Sequence, residues 1–265
     1  MKSIVHLLTA ALAFHVVACG SSSKQPSVTK LSVATAPAGD LTVELLADAA
    51  LATGLTPIYI KVTTAGGQVV TDATVTFFSL MSMSSGMQHS APVIGEPAIA
   101  PDGLYHGNVV FQMVSSTDDI WSATVDVTQP GAAAVEASFP SLTVTDSGRA
   151  KVFTYTDPVT AVATNYVSSL NFVNPPTIGL NPIIFTLHQM QDMMTFVPVV
   201  DAAPVLDPEM PSMGHGSPGS VDPTPTSLGQ YQGSLSFSMA GTWETTVTVN
   251  EGTIALGAPV FTTTF

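Results

Sequence analysis

The side chains with the most chemistry to offer in this sequence are its thioethers and imidazoles. They cluster in the run Met210-Pro211-Ser212-Met213-Gly214-His215-Gly216. That run is followed by Gly229-Gln230-Tyr231-Gln232-Gly233 and then Phe237-Ser238-Met239-Ala240-Gly241-Thr242-Trp243. An earlier stretch has the same order: Met81-Ser82-Met83-Ser84-Ser85-Gly86-Met87-Gln88-His89, then Phe111-Gln112-Met113, then Trp121. Thioether sulfur is a soft donor, and together with imidazole it suits Cu(I). It needs no deprotonation, so it serves where thiols are oxidised. If these segments are extended, residues two apart share a face. Met87 would then join His89, and Met213 would join His215, with Met113 and Met239 on a following strand facing the same points. The expectation is one Met-His-Met triad per copy, with Met210 as a fourth ligand in the second. The competing reading is plain packing: methionine fills irregular core gaps, and each histidine bonds to backbone in a loop.

The other candidates are weaker. His188-Gln189-Met190-Gln191-Asp192-Met193-Met194 again offers soft donors, but it reads first as an expanded hairpin loop with exposed methionines. His106 reads as a surface residue, because its counterpart is Gln232. Trp121 and Trp243 read as core anchors. Asp118-Asp119 lacks the further spaced ligands of a calcium loop. There is no cysteine nucleophile after residue 19, no G-x-S-x-G, no H-E-x-x-H and no glycine-rich phosphate loop, so an enzyme is not expected.

These residues are positioned by an internal repeat. Gly54-Leu55-Thr56-Pro57-Ile58 returns as Gly179-Leu180-Asn181-Pro182-Ile183. His89, Gly103, Tyr105, Gly107, Phe111 and Met113 return 126 residues later as His215, Gly229, Tyr231, Gly233, Phe237 and Met239. Trp121 and Phe139 return 122 residues later as Trp243 and Phe261. Each copy is a series of short β-branched or aromatic runs, such as 57–63, 69–78, 104–113 and 121–128, punctuated by Gly, Pro, Asp and Ser. The expected fold is all-β: two tandem Ig-like β-sandwich domains over residues 30–146 and 147–265. Asp102-Gly103-Leu104-Tyr105 resembles the tyrosine corner of such sandwiches, in which a tyrosine hydroxyl bonds back to backbone.

Ahead of the repeat, Lys2 and the apolar run Ile4–Ala18 read as a signal peptide over residues 1–18. The run ends in Val16-Val17-Ala18-Cys19-Gly20, and Cys19 is the chain's single cysteine. This resembles a bacterial lipobox, which implies cleavage before Cys19, lipidation of its sulfur and a flexible tether over residues 19–29. Several acyl chains on one residue hold a protein firmly to a bilayer. Gly20, not an acidic residue, follows the cysteine, which is similar to lipoproteins of the outer membrane that face the periplasm. Only 9% of residues are charged, and Lys plus Arg number 6 against 19 Asp plus Glu, so nucleic-acid binding is excluded.

The methionine-histidine segment, the Gly-x-Tyr turn and the Phe-x-Met-x-Gly-x-Trp strand pair closely resemble the YtkA-like family of small bacterial envelope domains, related to FixH-like domains. The resemblance covers most of residues 165–250. The first copy is a degenerate version that lacks the proline of the motif and the glycine after the histidine. It implies an envelope protein that binds, delivers or confers resistance to a soft metal such as Cu(I), with an envelope protein as partner. A structural or interaction module without a metal stands as the alternative. If Cys19 carries the anchor, Cys19→Ser moves the protein from the membrane pellet to the soluble fraction on cell fractionation; retention in the pellet contradicts the lipobox reading.

Overall fold

In a computed structural model, residues 29–265 are described, so the expected signal peptide and Cys19 lie outside the described residues. The first sandwich runs β1 (Leu31–Ala38), β2 (Leu41–Ala47), β3 (Gly54–Thr64), β4 (Thr74–Ser82), β5 (Gln88–Ser90), β6 (Ala98–Ile99), β7 (Tyr105–Phe111), β8 (Ile120–Thr128) and β9 (Val135–Leu142). The second runs β10 (Ala150–Thr156), β11 (Ala163–Phe172), β12 (Gly179–Met190), β13 (Phe196–Pro198), β14 (Ala203–Met210), β15 (His215–Gly216), β16 (Val221–Ser227), β17 (Gln230–Phe237), β18 (Thr242–Glu251), β19 (Ile254–Gly257) and β20 (Val260–Thr264). Sheet order is β1-β2-β3-β7-β6 facing β5-β4-β8-β9 in the first, and β10-β11-β12-β17-β16 facing β15-β14-β18-β19 in the second. The two orders correspond strand for strand. The last strand of the first sandwich is replaced by two short ones, since β18 pairs with β20 as well as β19. All described elements are strands, as the sequence leads one to expect.

The alternation of residue types sets which face is buried. In β8, Trp121, Ala123, Val125 and Val127 point inward; in β18, Trp243, Thr245, Val247 and Val249 do. Each set packs on the opposite sheet, through Leu45, Ile58, Ile60 and Phe111 in one core and Phe185, Tyr231, Leu235 and Phe237 in the other.

Both tyrosine corners form. The Tyr105 hydroxyl accepts the Ala73 N–H at 3.0 Å, so β4 begins only at Thr74, later than the 69–78 run implies. The Tyr231 hydroxyl donates to the Val199 carbonyl at 2.7 Å and accepts the Ala202 N–H at 3.2 Å. Burial pushes both phenols above the usual tyrosine range.

The sandwiches meet through a small apolar contact of Ile94, Val110 and Leu55 with Val167, Met190 and Phe196. His188 sits at its edge. The sequence reading places His188 in a loop, but β12 extends to Met190 through pairing with β11 and β13, and His188 is directly opposite the buried Val167. The exposed loop is confined to the following turn, where Met193 and Met194 are exposed as expected. His106 is at the surface, paired with Asp102 at 3.0 Å.

His188 is buried, and its Nδ1 has no hydrogen-bond partner among the described residues. Burial pushes its pKa down to about 4, against a weaker opposing effect of its bond to the Leu228 backbone. The native state therefore binds fewer protons than the unfolded chain between about pH 6.5 and 4. Stability is complete above that window and falls as pH drops through it, by up to about 3 kcal/mol from this residue. Urea unfolding of the wild type and His188→Leu from pH 7.5 to 4 is expected to show a distinctly flatter profile for the variant; parallel profiles would contradict it.

Candidate functional site

The candidate residues converge at one end of each sandwich, and a tryptophan organises each convergence. In the first sandwich the β4–β5 hairpin sets Met81 opposite His89, and β4 sets the same Met81 opposite Trp121 on β8. Directly paired residues share a face, so His89, Met81 and Trp121 form an inward row across three strands. His89 is 4% exposed, and its ring meets the Trp121 indole edge-on at a centroid distance of 5.4 Å. The Trp121 indole N–H donates to the Met113 carbonyl at 2.9 Å. That bond folds Met113 back over the row and brings its Sδ to 3.2 Å from His89 Nε2. Asp119 braces the hairpin tip by accepting the Ser84 N–H at 2.9 Å, which holds its carboxyl below the usual carboxylate range.

The second sandwich repeats the arrangement. Met210 is opposite His215 across the β14–β15 hairpin. The β14–β18 register ends at Glu209 opposite Glu244, and one further step brings Met210 level with Trp243. His215 meets the Trp243 ring edge-on at 5.7 Å, and the Trp243 indole donates to the Met239 carbonyl at 3.0 Å. Met210 is buried, and its thioether fills the space above Gly241, where a Cβ would lie 2.9 Å from the Met210 methyl carbon and 3.7 Å from its sulfur. This site is more open than the first: His215 is half-buried and Met239 is 37% exposed.

The expected triads are therefore partly rearranged. His89 and Met113 come together as expected. Met87 is 54% exposed at the foot of β5, where its carbonyl accepts the Met83 N–H and closes the turn. Met213 is 62% exposed, because residues 211–214 form a tight turn in which the Met213 and Gly214 amides both donate to the Met210 carbonyl. Same-face alternation does not apply inside a turn, so neither Met87 nor Met213 accompanies its histidine inward. Nor do Met113 and Met239 lie on strands: β7 ends at Phe111 and β17 at Phe237, just before the carbonyls that the indoles take. The residue missed from sequence is Met81, the structural equivalent of Met210. The signal that finds it is hairpin register rather than spacing.

Protonation follows from the partners of each Nδ1. His215 Nδ1 lies 3.0 Å from the Gly216 carbonyl, which can only accept, so Nδ1 is the donor there. In the first sandwich, His89 Nδ1 lies 2.9 Å from the Ser90 carbonyl and 3.0 Å from Gln112 Nε2, which itself donates to Ser90 at 2.7 Å. Two tautomers fit. With Nδ1–H on the Ser90 carbonyl, a nitrogen lone pair and the Met113 sulfur face each other with no proton between them. With Gln112 donating to Nδ1, Nε2–H points at the sulfur instead. Among the described residues, no three His, Cys, Asp or Glu side chains gather where they could hold a metal ion. The donors at both sites are imidazole nitrogen and thioether sulfur.

Gly241 adopts a φ of +144° and has Met210 seated against it. Gly241→Ala is expected to cost about 1–3 kcal/mol, from backbone strain and displacement of the thioether. Met210→Ala in the same chain should recover only the steric part. Chemical denaturation of the single and double variants reads both, and a cost for Gly241→Ala below about 0.5 kcal/mol would contradict the seating.

No curated protein matches the chain. Residues 160–248, which span β11 to the greater part of β18 and include the whole Met210–His215–Met239–Trp243 constellation, match the model of the YtkA-like family, so the second sandwich carries a YtkA-like domain.

Proposed function

We propose that this protein is a lipid-anchored envelope protein, held by Cys19 at the periplasmic face of the outer membrane, that binds a soft metal ion, Cu(I), as cargo and passes it to an envelope partner. The observation that carries this reading is the 3.2 Å approach of His89 Nε2 to Met113 Sδ, beside the buried Met81. A metal with bonds of about 2.0 Å to nitrogen and 2.3 Å to sulfur separates two such donors by roughly 3.5 Å at a tetrahedral angle. An ion therefore fits between them with a shift of a few tenths of an ångström. The carbonyl opposite Nδ1 can accept its proton and so hold the tautomer that leaves Nε2 free, as the partners behind ligating histidines usually do. The donor sets are Met81, His89 and Met113 in the first site and Met210, His215 and Met239 in the second. Met87 and Met213 stand exposed on the turns that carry the histidines, where an arriving ion would first meet a sulfur. A domain relationship to FixH-like proteins belongs to the same reading.

One observation favours the alternative, an interaction module without a metal. The buried Gln112 amide is placed to donate to His89 Nδ1, which makes His89 a hydrogen-bonded core residue. A titration separates the two. The chain holds two tryptophans, each edge-on to one of these histidines. Under reducing conditions, Cu(I) or Ag(I) added to the Cys19→Ser protein is expected to quench both in two steps. Loss of either histidine to alanine should remove one step and weaken that site by at least about 100-fold. Chelator extraction should empty the more open second site first. Absence of quenching and of tight binding, or binding unchanged in the His89→Ala, His215→Ala double variant, would overturn the metal reading.

A further inference from the structure

The hairpin between β12 and β13 is longer than its counterpart in the first sandwich, where Thr64 to Gln68 close the turn directly. Besides its apolar contact, this longer hairpin hydrogen-bonds to the neighbouring sandwich at Ser90, next to His89. β5 lies at the edge of its sheet, so one side of its backbone is free to bond elsewhere. The hairpin uses it. The Ser90 N–H donates to the Met193 carbonyl at 2.9 Å, and the Ser90 hydroxyl donates to the Met194 carbonyl at 2.6 Å. The remaining Ser90 group, its carbonyl, is the one that faces His89 Nδ1 and takes the Gln112 amide. Every polar group of Ser90 is thus committed, two to the second sandwich and one to the histidine and its neighbour.

The hairpin is itself preshaped. Asp192 Oδ1 accepts the N–H groups of Met194 and Thr195, each at 2.7 Å, and the Gln191 N–H donates to the Thr195 carbonyl at 2.9 Å. With those amides tied inward, the Met193 and Met194 carbonyls are left to point at Ser90. The flanking residues Met190 and Phe196 join the apolar contact with Ile94 and Val110, so the carbonyls are delivered from an anchored base. Gly216, the residue at the matching position after His215, likewise faces His215 Nδ1 with its carbonyl at 3.0 Å, but it has no hydroxyl to donate.

We propose that the β12–β13 hairpin is a clasp by which the second sandwich sets the orientation of His89 in the first, acting through Ser90, while among the described residues His215 has no such brace. Ser90 and Asp192 are positioning residues. The inference concerns the metal-free chain and is independent of whether His89 ever holds an ion.

The test uses the full chain with Cys19→Ser as background and no metal. Asp192→Ala unshapes the turn, Asp192→Asn retains the Oδ1 acceptor, Ser90→Ala removes the hydroxyl and Ser90→Thr restores it. Two signals are read by NMR: hydrogen exchange at the residue-90 amide, and the ring nitrogen shifts of His89 against those of His215. Asp192→Ala is expected to speed exchange at Ser90 by about tenfold or more. It should also shift the His89 ring nitrogens while His215 stays fixed. Ser90→Ala should move the same His89 signals, and the Asn and Thr variants should return each set towards wild type. Replacing residues 191–195 by Gly-Gly removes the carbonyls altogether and should give the largest change. Unaltered Ser90 exchange and His89 shifts in that replacement would overturn the clasp. So would equal movement of His215, which marks general destabilisation rather than positioning.

Discussion

A buried indole N–H that must find an acceptor fixes the geometry of both sites. Trp121 and Trp243 are wholly buried, and an unpaired donor at that depth would cost about 1–3 kcal/mol. No water reaches it, so a carbonyl has to be brought in, and in both sandwiches it comes from a methionine just beyond the preceding strand. A residue that gives its carbonyl to an indole leaves the ladder, so the strand stops two residues earlier, and in the first sandwich the methionine folds over the histidine row. The donor and acceptor are eight residues apart in the first sandwich and four in the second. The bond is the same across that change in loop length, so it follows from the buried tryptophan and not from a particular loop.

The tyrosine corner plays the same part at a neighbouring turn. Tyr105 and Tyr231 tie the approach to β4 and β14, the strands that carry Met81 and Met210. With one aromatic fixing the entry to the methionine strand and the other fixing the turn above it, the intervening hairpin is free to vary. It does: Met81 and His89 are eight positions apart, Met210 and His215 five, and Met still opposes His in each. The shorter hairpin brings its histidine in less deeply, which accounts for the more open second site.

Most of the fold is legible in the sequence, because repeated Gly-x-Tyr, Phe and Trp positions fix the period and β-branched alternation marks the central strands. β14 is not, because Pro204 and Pro208 argue against a strand. It is tolerated because β14 pairs along most of its length only with β18, and its free Leu206 N–H is taken by Asp222 at 2.8 Å. Its residues then alternate fully, with Pro204, Leu206, Pro208 and Met210 all inward. The equivalence of Met81 and Met210 is hidden for a different reason. Spacing aligns Met87 with Met213, and only cross-strand register, which spacing does not encode, selects the buried partner. The packing of His188 and the bonds of Ser90 depend on how two sandwiches meet, a relation between segments about 100 residues apart that no local pattern carries.

The sparse charge of the chain and the donor type of its sites have a common physical basis. Three ion pairs occur among the described residues, all at the surface, and no disulfide is available to residues 20–265. Folding rests on apolar packing between facing sheets. A carboxylate placed in such an interior would need a paired cation to offset several kcal/mol of desolvation, and the Lys and Arg residues are too few to supply one. Thioether carries no charge and imidazole need carry none, so they can be buried beside a tryptophan at little cost, and in the first site the two face each other at 3.2 Å. A core of this kind can host a donor set only if it is neutral. Neutral sulfur and nitrogen without carboxylate offer little to hard cations such as Mg²⁺ and Ca²⁺, whose preference is for oxygen. The composition therefore constrains the chemistry of the site before any ligand is considered.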